Sequence, residues 1–188
     1  LLRLQAETLD SQEAKDALQA AVNRIASMMV LYDKLYNSDT IGSISMKEYL
    51  PDLVDEIARN MSRSEPVECR TSIDDIMLDE KRLSALGIIV NELMTNSVKY
   101  AFKNRADGQI TLTVRRVGKR IRLLYEDNGI GLPDIAALRA AHGQAGAVGS
   151  SGAAGFGMQL VTMLAQQLNG TLDIDWHDGA RFMIEFDE

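Results

Sequence analysis

Three short stretches hold residues whose types and spacing could do chemistry. The first is Asn91-Glu92-Leu93-Met94-Thr95-Asn96-Ser97-Val98-Lys99-Tyr100. Helical spacing sets Glu92, Asn96 and Lys99 on one face, beside an apolar stripe. A carboxylate, a neutral carboxamide and an ammonium one turn apart are what a metal-bound polyphosphate requires. Oxygen ligands suit Mg²⁺, Asn96 supplies a neutral one, and Lys99 can meet a phosphate oxygen. Taken alone, the stretch also reads as a solvated helix face. The second is Asp127-Asn128-Gly129-Ile130-Gly131-Leu132-Pro133, directly after a strand. Gly129 and Gly131 permit a tight reversal and close approach to a flat ligand. Asp127 at the strand end can accept a hydrogen bond from an exocyclic amine, which would select adenine over guanine. An ordinary Asp-Asn-Gly turn is the competing reading. The third is Gly155-Phe156-Gly157-Met158, where a glycine-rich loop opens into a helix. Backbone N–H groups and the helix dipole can hold phosphate oxygens there. No Gly-Lys-Ser/Thr follows, so the loop is not a Walker A motif, and it is not a dinucleotide fingerprint.

These stretches need elements to position them. Leu83, Leu86, Val90, Leu93, Met94, Val98 and Ala101 give a long helix over 79–102. Ile110, Leu112 and Val114 alternate with polar residues, as do Ile121, Leu123 and Tyr125, with Val117-Gly118-Lys119 as the turn between two strands. A helix follows over 132–141. The segment 142–155 carries glycine at 143, 146, 149, 152 and 155, offers almost nothing to a core, and is expected to be mobile. A helix over 156–168 ends at Asn169-Gly170. Leu172, Ile174 and Trp176 form a strand, Asp178-Gly179 turns it, and Phe182, Ile184 and Phe186 form the last strand.

Upstream, Ser45 and Glu48 make a capping box for a helix whose stripe is Leu50, Leu53, Val54 and Ile57, and Val67, Cys69 and Thr71 alternate as a short strand. Leu18, Val22, Ile25, Met29, Tyr32 and Tyr36 recur at helical spacing, and Leu1, Leu2, Leu4 and Leu9 read as the tail of an earlier helix. The two make an antiparallel hairpin joined near 9–12. The expected organisation is a small helical hairpin at 1–40 followed by an α/β sandwich with a mixed sheet at 41–188.

Composition narrows the classes. The 188 residues carry 20 Lys plus Arg against 27 Asp plus Glu, a formal net charge of -7, which weighs against a nucleic-acid partner. One cysteine, Cys69, excludes an intrachain disulfide and a cysteine-rich metal site. No apolar run approaches the roughly 20 residues of a membrane span. The lack of an initiator methionine reads as a fragment or a processed product.

In this order, helix then strand-end turn then glycine-rich loop into helix, the three stretches resemble the ATP-binding domain of bacterial sensor histidine kinases, which shares its fold with gyrase, Hsp90 and MutL. Residues 91–102 are similar to that family's N box, 127–133 to its first glycine box and 155–161 to its second. The loop 142–155 is similar to its flexible ATP lid. Leu2-Arg3-Leu4-Gln5, Arg24-Ile25 and Asp33-Lys34-Leu35-Tyr36 resemble the dimerisation domain of a subfamily related to the HWE kinases. Asn91 stands where HWE kinases have histidine, and residues 122–126 lack their Trp-x-Glu, so the resemblance is to the related non-HWE subfamily. Phe156 and Ala180 depart from the family, which usually has a smaller or aliphatic residue and a threonine at those places.

The resemblance implies ATP and Mg²⁺ as cofactors. By it, Asn96 coordinates Mg²⁺, Lys99 contacts phosphate, Asp127 binds the adenine amino group, and Gly129, Gly131, Gly155, Gly157 and Met158 line the nucleotide. Glu92 would order the metal indirectly or polarise the acceptor imidazole. The implied function is a cytoplasmic two-component histidine kinase core that homodimerises through helices 1–36 and signals to a response regulator. His142 and His177 lie in the lid and beside a turn, so the phosphoacceptor histidine is expected upstream of Leu1. Two alternatives are a serine-protein kinase of the anti-sigma-factor type and a nucleotide-gated dimerising scaffold without kinase activity.

Overall fold

The computed structural model describes residues 18, 21–22, 25, 28–30, 32–33, 43–60, 67–102, 105, 107–131, 156–176 and 178–188. The hairpin connection near 9–12, the helix expected over 132–141, the lid at 142–155 with His142 and Gly155, and His177 lie outside the described residues. No helix among the described residues is long and apolar enough to cross a membrane.

Strand β1 (Ser43–Ser45) leads directly into helix α1 (Met46–Asn60). Ser45 caps it as expected, accepting from the Lys47 N–H at 3.1 Å. The Ser45 hydroxyl also donates to the Asp75 carboxylate at 2.6 Å, which fastens the helix start to the segment after β2 (Glu68–Ile73). Met46, Tyr49, Leu50, Leu53, Val54 and Ile57 are the buried stripe of α1. β1 pairs antiparallel with β3 (Met77–Asp79) in a two-stranded ribbon that was not among the expected strands. Each strand is three residues long, too short to show an alternation of its own.

Asp79 ends β3 and caps helix α2 (Glu80–Asn96), accepting from the Arg82 N–H at 2.9 Å. The expected single α-helix over 79–102 is corrected in its last turn. From Ser97 to Ala101 the backbone widens into a π-helical turn, closed by the Phe102 N–H donating to the Ser97 carbonyl at 3.1 Å. As one of the last carbonyls of the helix, that of Ala101 is open to accept from the Ile130 N–H at 3.0 Å, a bond across to the glycine turn.

The main sheet has the order β2-β4-β5-β7-β6, with β4 at Gln109–Val117, β5 at Arg120–Asp127, β6 at Thr171–Trp176 and β7 at Ala180–Asp187. β2 lies parallel to β4, and the other neighbours are antiparallel. The sheet is therefore mixed, as expected. Helix α3 (Phe156–Gln167) packs against α2, and Asn169, at φ 55°, ends it in the left-handed region. Alternation sends Ile110, Leu112, Val114, Ile121, Leu123, Tyr125, Phe182, Ile184 and Phe186 into one core beneath the helices. Burying each such side chain contributes about 1.5–3 kcal/mol. Thr111, Glu126, Arg181 and Glu185 point to the uncovered face. The result is a two-layer α/β sandwich in which the C-terminal end of α2 lies over the end of β5.

Candidate nucleotide site

Asp127 is the last residue of β5, and alternation turns its side chain to the core face, where it is 7% exposed. A carboxylate so placed is costly unless its oxygens are bonded. The Gly129 N–H donates to Oδ1 at 2.9 Å and the Ala180 N–H donates to the same oxygen at 3.1 Å. The Ser97 hydroxyl donates to Oδ2 at 2.5 Å, and the Tyr125 hydroxyl lies 2.8 Å from Ser97 Oγ. Tyr125 is itself held edge-on to Phe182, ring centroids 6.2 Å apart. Burial pushes the Tyr125 phenol well above its ordinary pKa, so it stays a neutral hydroxyl.

The turn after Asp127 is fixed from several sides. The Asn128 N–H donates to the Gln109 carbonyl at 3.1 Å, and the Gln109 N–H donates back to Asn128 Oδ1 at 2.7 Å. Asn128 Nδ2 donates to the Asp107 carbonyl at 2.9 Å, and the Arg105 guanidinium donates to the Asn128 carbonyl. Gly129 sits so close to α2 that an added Cβ would lie 2.4 Å from Ala101 Cβ and 2.7 Å from its carbonyl oxygen. Behind Asp127, Gly179 adopts φ +134°, and a Cβ there would fall 1.7 Å from the Asp127 carbonyl oxygen. Only glycine allows the β6–β7 turn to pass there and deliver the Ala180 N–H.

On the other side of the π-helical turn, the first turn of α3 meets the face of α2 that carries Glu92 and Asn96. A Cβ on Gly157 would lie 2.5 Å from Glu92 Oε2 and 3.9 Å from Asn96 Nδ2. Glu92 is 5% exposed and Asn96 half-buried. Met158 is buried beside Gly157, Lys99 is half-buried within the π-helical turn, and Gly131 closes the glycine turn at φ +76°. The structure thus brings Glu92, Asn96 and Gly157 together at one end and Asp127 and Gly129 at the other, with Ser97–Ala101 between them. A carboxylate and a carboxamide in a space that a single methyl would fill are hard oxygen donors, and they fit Mg²⁺. A polar cleft of about 360 Å³ is lined by Asp127, Asn128 and Ala180 together with Gln109, Thr111, Glu126, Asp178 and Arg181.

Ser97 and Tyr125 were not among the residues singled out from sequence for the site, and Ala180, noted there only for its side chain, contributes its backbone N–H. Tyr125 carried a usable signal, since it stands two residues before Asp127 and so shares its face of β5. Ser97 stands in the middle of the 91–100 stretch but off the Glu92–Asn96–Lys99 face.

With the geometry in place, comparison with known families decides the class. The family described as histidine kinase-, DNA gyrase B-, and HSP90-like ATPase matches residues 81–188. The chain belongs to this ATPase family. A second match, to a family described as histidine kinase, covers residues 1–61, so this ATPase domain is of the histidine-kinase kind. The chain is 28% identical over 180 residues to the sensor histidine kinase PdtaS of Mycobacterium tuberculosis, covering 92% of this chain and 32% of that protein. It is 30% identical over 138 residues to PdtaS of Mycolicibacterium smegmatis, covering 71% of this chain and 27% of that one. It therefore spans about a third of the length of these relatives. Among solved structures, the histidine kinase domain of the Erythrobacter litoralis EL346 blue-light-activated kinase superposes with a TM-score of 0.71 at 20% identity, over 89% of this chain and 74% of that one, which establishes the shared fold. Within this ATPase family, the domain's nucleotide is ATP.

Proposed function

We propose that this chain is the ATP-binding core of a two-component protein-histidine kinase. The observation that carries the reading is Asp127. It is a buried carboxylate at a strand end, fixed by three donors, one of them Ser97, which follows directly on the helix turn that presents Glu92 and Asn96 to the opening helix α3. In this reading Asp127 accepts the exocyclic amine of adenine. Gly129 and Gly131 let the turn lie against the flat base. Asn96 is the Mg²⁺ ligand, Lys99 meets a phosphate oxygen, and Glu92 orders the metal's surroundings or polarises the acceptor imidazole. Gly155, Gly157 and Met158 shape the phosphate end. When bound, Mg²⁺ supplies charge neutralisation across the phosphates.

The reaction is transfer of the γ-phosphoryl group. An imidazole nitrogen forms a bond to the γ-phosphorus as the bond to the β–γ bridging oxygen breaks, and ADP leaves. The chain's part is positioning and charge stabilisation rather than covalent chemistry. The acceptor is a protein histidine, and a response-regulator aspartate then takes the phosphoryl group. The region 1–40 acts as the partial dimerisation hairpin and 41–188 as the catalytic domain, working in the cytoplasm. Leu18, Val22, Ile25, Met29 and Tyr32 are helical, and Ile25, Met29 and Tyr32 are 47%, 63% and 62% exposed in a single chain, an apolar surface consistent with a second copy.

The deciding experiment is calorimetric titration of Mg·ATP into wild type and Asp127→Asn. Asparagine keeps the shape and an acceptor for the two backbone N–H groups, but turns an N–H donor toward the base amine. An affinity loss of tenfold or more, about 1.4 kcal/mol, is expected. Equal affinity would refute the assignment of the base to Asp127.

A further inference from the structure

Asp127 is an acceptor whose capacity has been almost entirely used by the protein. An ionised carboxylate offers about four lone-pair positions. Oδ1 receives two backbone N–H groups, from Gly129 and Ala180, and is filled. Among the described residues Oδ2 receives the Ser97 hydroxyl and has one position left. A serine hydroxyl has one proton. With that proton committed to Asp127, the contact between Ser97 and Tyr125 at 2.8 Å has a fixed direction: Tyr125 donates and Ser97 accepts. All three side chains are buried, at 0% exposure for Tyr125, 3% for Ser97 and 7% for Asp127, so water does not compete freely for these bonds. The Tyr125 ring is locked by Phe182, and Ser97 by the π-helical turn in which it sits.

We propose that Ser97, held by Tyr125, is a positioning residue that sets base specificity: it orients the Asp127 carboxylate and leaves a single open acceptor on Oδ2, matched to one N–H of a 6-aminopurine. This rests on the reading above that Asp127 receives the base. A base presenting an exocyclic amine completes the last acceptor position. A base presenting a carbonyl oxygen there meets a carboxylate that has no proton to give. Without the Ser97 hydroxyl, Oδ2 has two open positions and the carboxylate can rotate or take up water, so the distinction between bases is blunted. Tyr125 acts one step further out, by keeping the Ser97 proton pointed at Asp127.

The test separates positioning from mere packing by using two ligands, ATP and purine riboside 5′-triphosphate, which lacks only the 6-amino group. Affinities are measured calorimetrically with Mg²⁺ for wild type, Ser97→Ala, Ser97→Thr and Tyr125→Phe. Wild type should prefer ATP by at least about tenfold. Ser97→Ala should weaken ATP by about tenfold and leave the purine riboside triphosphate within about twofold, so the preference collapses. Ser97→Thr, which keeps the hydroxyl, should restore the preference. Tyr125→Phe should lose part of it, about threefold, and serves as the second reading if Ser97→Ala does not fold. A wild-type preference that survives both Ser97→Ala and Tyr125→Phe would overturn the inference. So would a Ser97→Ala loss shared equally by the two nucleotides, because that is the signature of a packing role. Equal binding of the two nucleotides by wild type would instead refute the Asp127 base assignment itself.

Discussion

Gly157→Ala is the substitution that most directly tests whether the Glu92–Asn96 face and the opening of α3 form one working surface. The new Cβ would lie 2.5 Å from Glu92 Oε2, whereas ordinary contact begins at 3.4 Å, so the carboxylate oxygen must yield by about 0.9 Å. Asn96 Nδ2, at 3.9 Å, need not move. The stability effect should be small, because two terms oppose each other. Replacing glycine by alanine within a helix gains roughly 0.5–1 kcal/mol. Forcing a buried glutamate off its rotamer costs about 0.5–1.5 kcal/mol. The melting temperature should therefore shift by only a few degrees, at about 2–4 °C per kcal/mol for a chain of this size. Chemistry is far less tolerant, since a displacement near 1 Å can cost on the order of 10²-fold in rate. The expected outcome is a folded variant whose phosphotransfer to a protein histidine, measured with radiolabelled ATP, falls by roughly two orders of magnitude. In a Glu92→Ala background the same change should have no further effect on Mg·ATP affinity, because the displaced group is gone. Full phosphotransfer activity in Gly157→Ala would show that the position of Glu92 is not critical. A melting temperature lowered by more than about 10 °C would show that Gly157 is chiefly a packing glycine.

Gly87→Ala should destabilise by about 1–3 kcal/mol without a specific effect on nucleotide binding, because its Cβ would lie 2.1 Å from the hydroxyl of the fully buried Tyr49; an unchanged denaturation midpoint would refute this close crossing of α1 and α2. The Cys69 thiol is pushed up to about 11, first by burial and then by the nearby Asp55 and Glu68 charges. The folded chain then keeps a proton that the unfolded chain loses near pH 8.5, so stability should fall as pH rises from about 9 to 11, and the rate of thiol modification should reach its midpoint near pH 11 rather than 8.5. Ile25→Glu should dissociate a dimer in sedimentation velocity while leaving the melting of the sandwich unchanged, since Ile25 is 47% exposed in the single chain; a dimer of undiminished affinity would place the contact elsewhere.

The main sheet was legible because its strands obey a period of two over four or more residues. Ile110, Leu112 and Val114 sit across from Asp127, Tyr125 and Leu123 in the register that their alternation demands. Ser45 marked its helix start correctly because a side-chain oxygen at the N-cap answers a local need, visible within three residues, whereas Asp79, expected inside the helix over 79–102, is instead its cap. β1 and β3 were missed because their pairing, Ser43 with Asp79 and Ser45 with Met77, is a contact across more than thirty residues between segments too short to carry a pattern. The π-helical turn was missed for a related reason. Nothing in Ser97-Val98-Lys99-Tyr100-Ala101 disfavours an α-helix locally. The wider turn is maintained by bonds to a distant strand end, through Ser97 to Asp127 and Ala101 to Ile130.

That same turn explains why the site was only partly legible. Asp127, Glu92 and Asn96 announce themselves, because a carboxylate at a strand end or a polar face on an otherwise buried helix is unusual for its setting. Ser97 does not, since a serine in a helix is common and its neighbours already explain the motif. What gives it meaning is the π-helical widening, which changes the angular relation between Asn96 and the residues after it. In a regular α-helix, residues 97 and 101 would lie one above the other on the core side. In the widened turn the Ser97 hydroxyl reaches the strand-end carboxylate while Asn96 stays beside Glu92 and Gly157. On the function proposed above, one helix serves the two ends of a single elongated ligand: its regular part carries Glu92 and Asn96 for a metal-bound polyphosphate, and its irregular part holds Asp127 for the base. Asn96 and Ser97 are adjacent in the backbone, so a change that restored regular α geometry at 97–101 would be expected to disturb base recognition first and the Glu92–Asn96 face least.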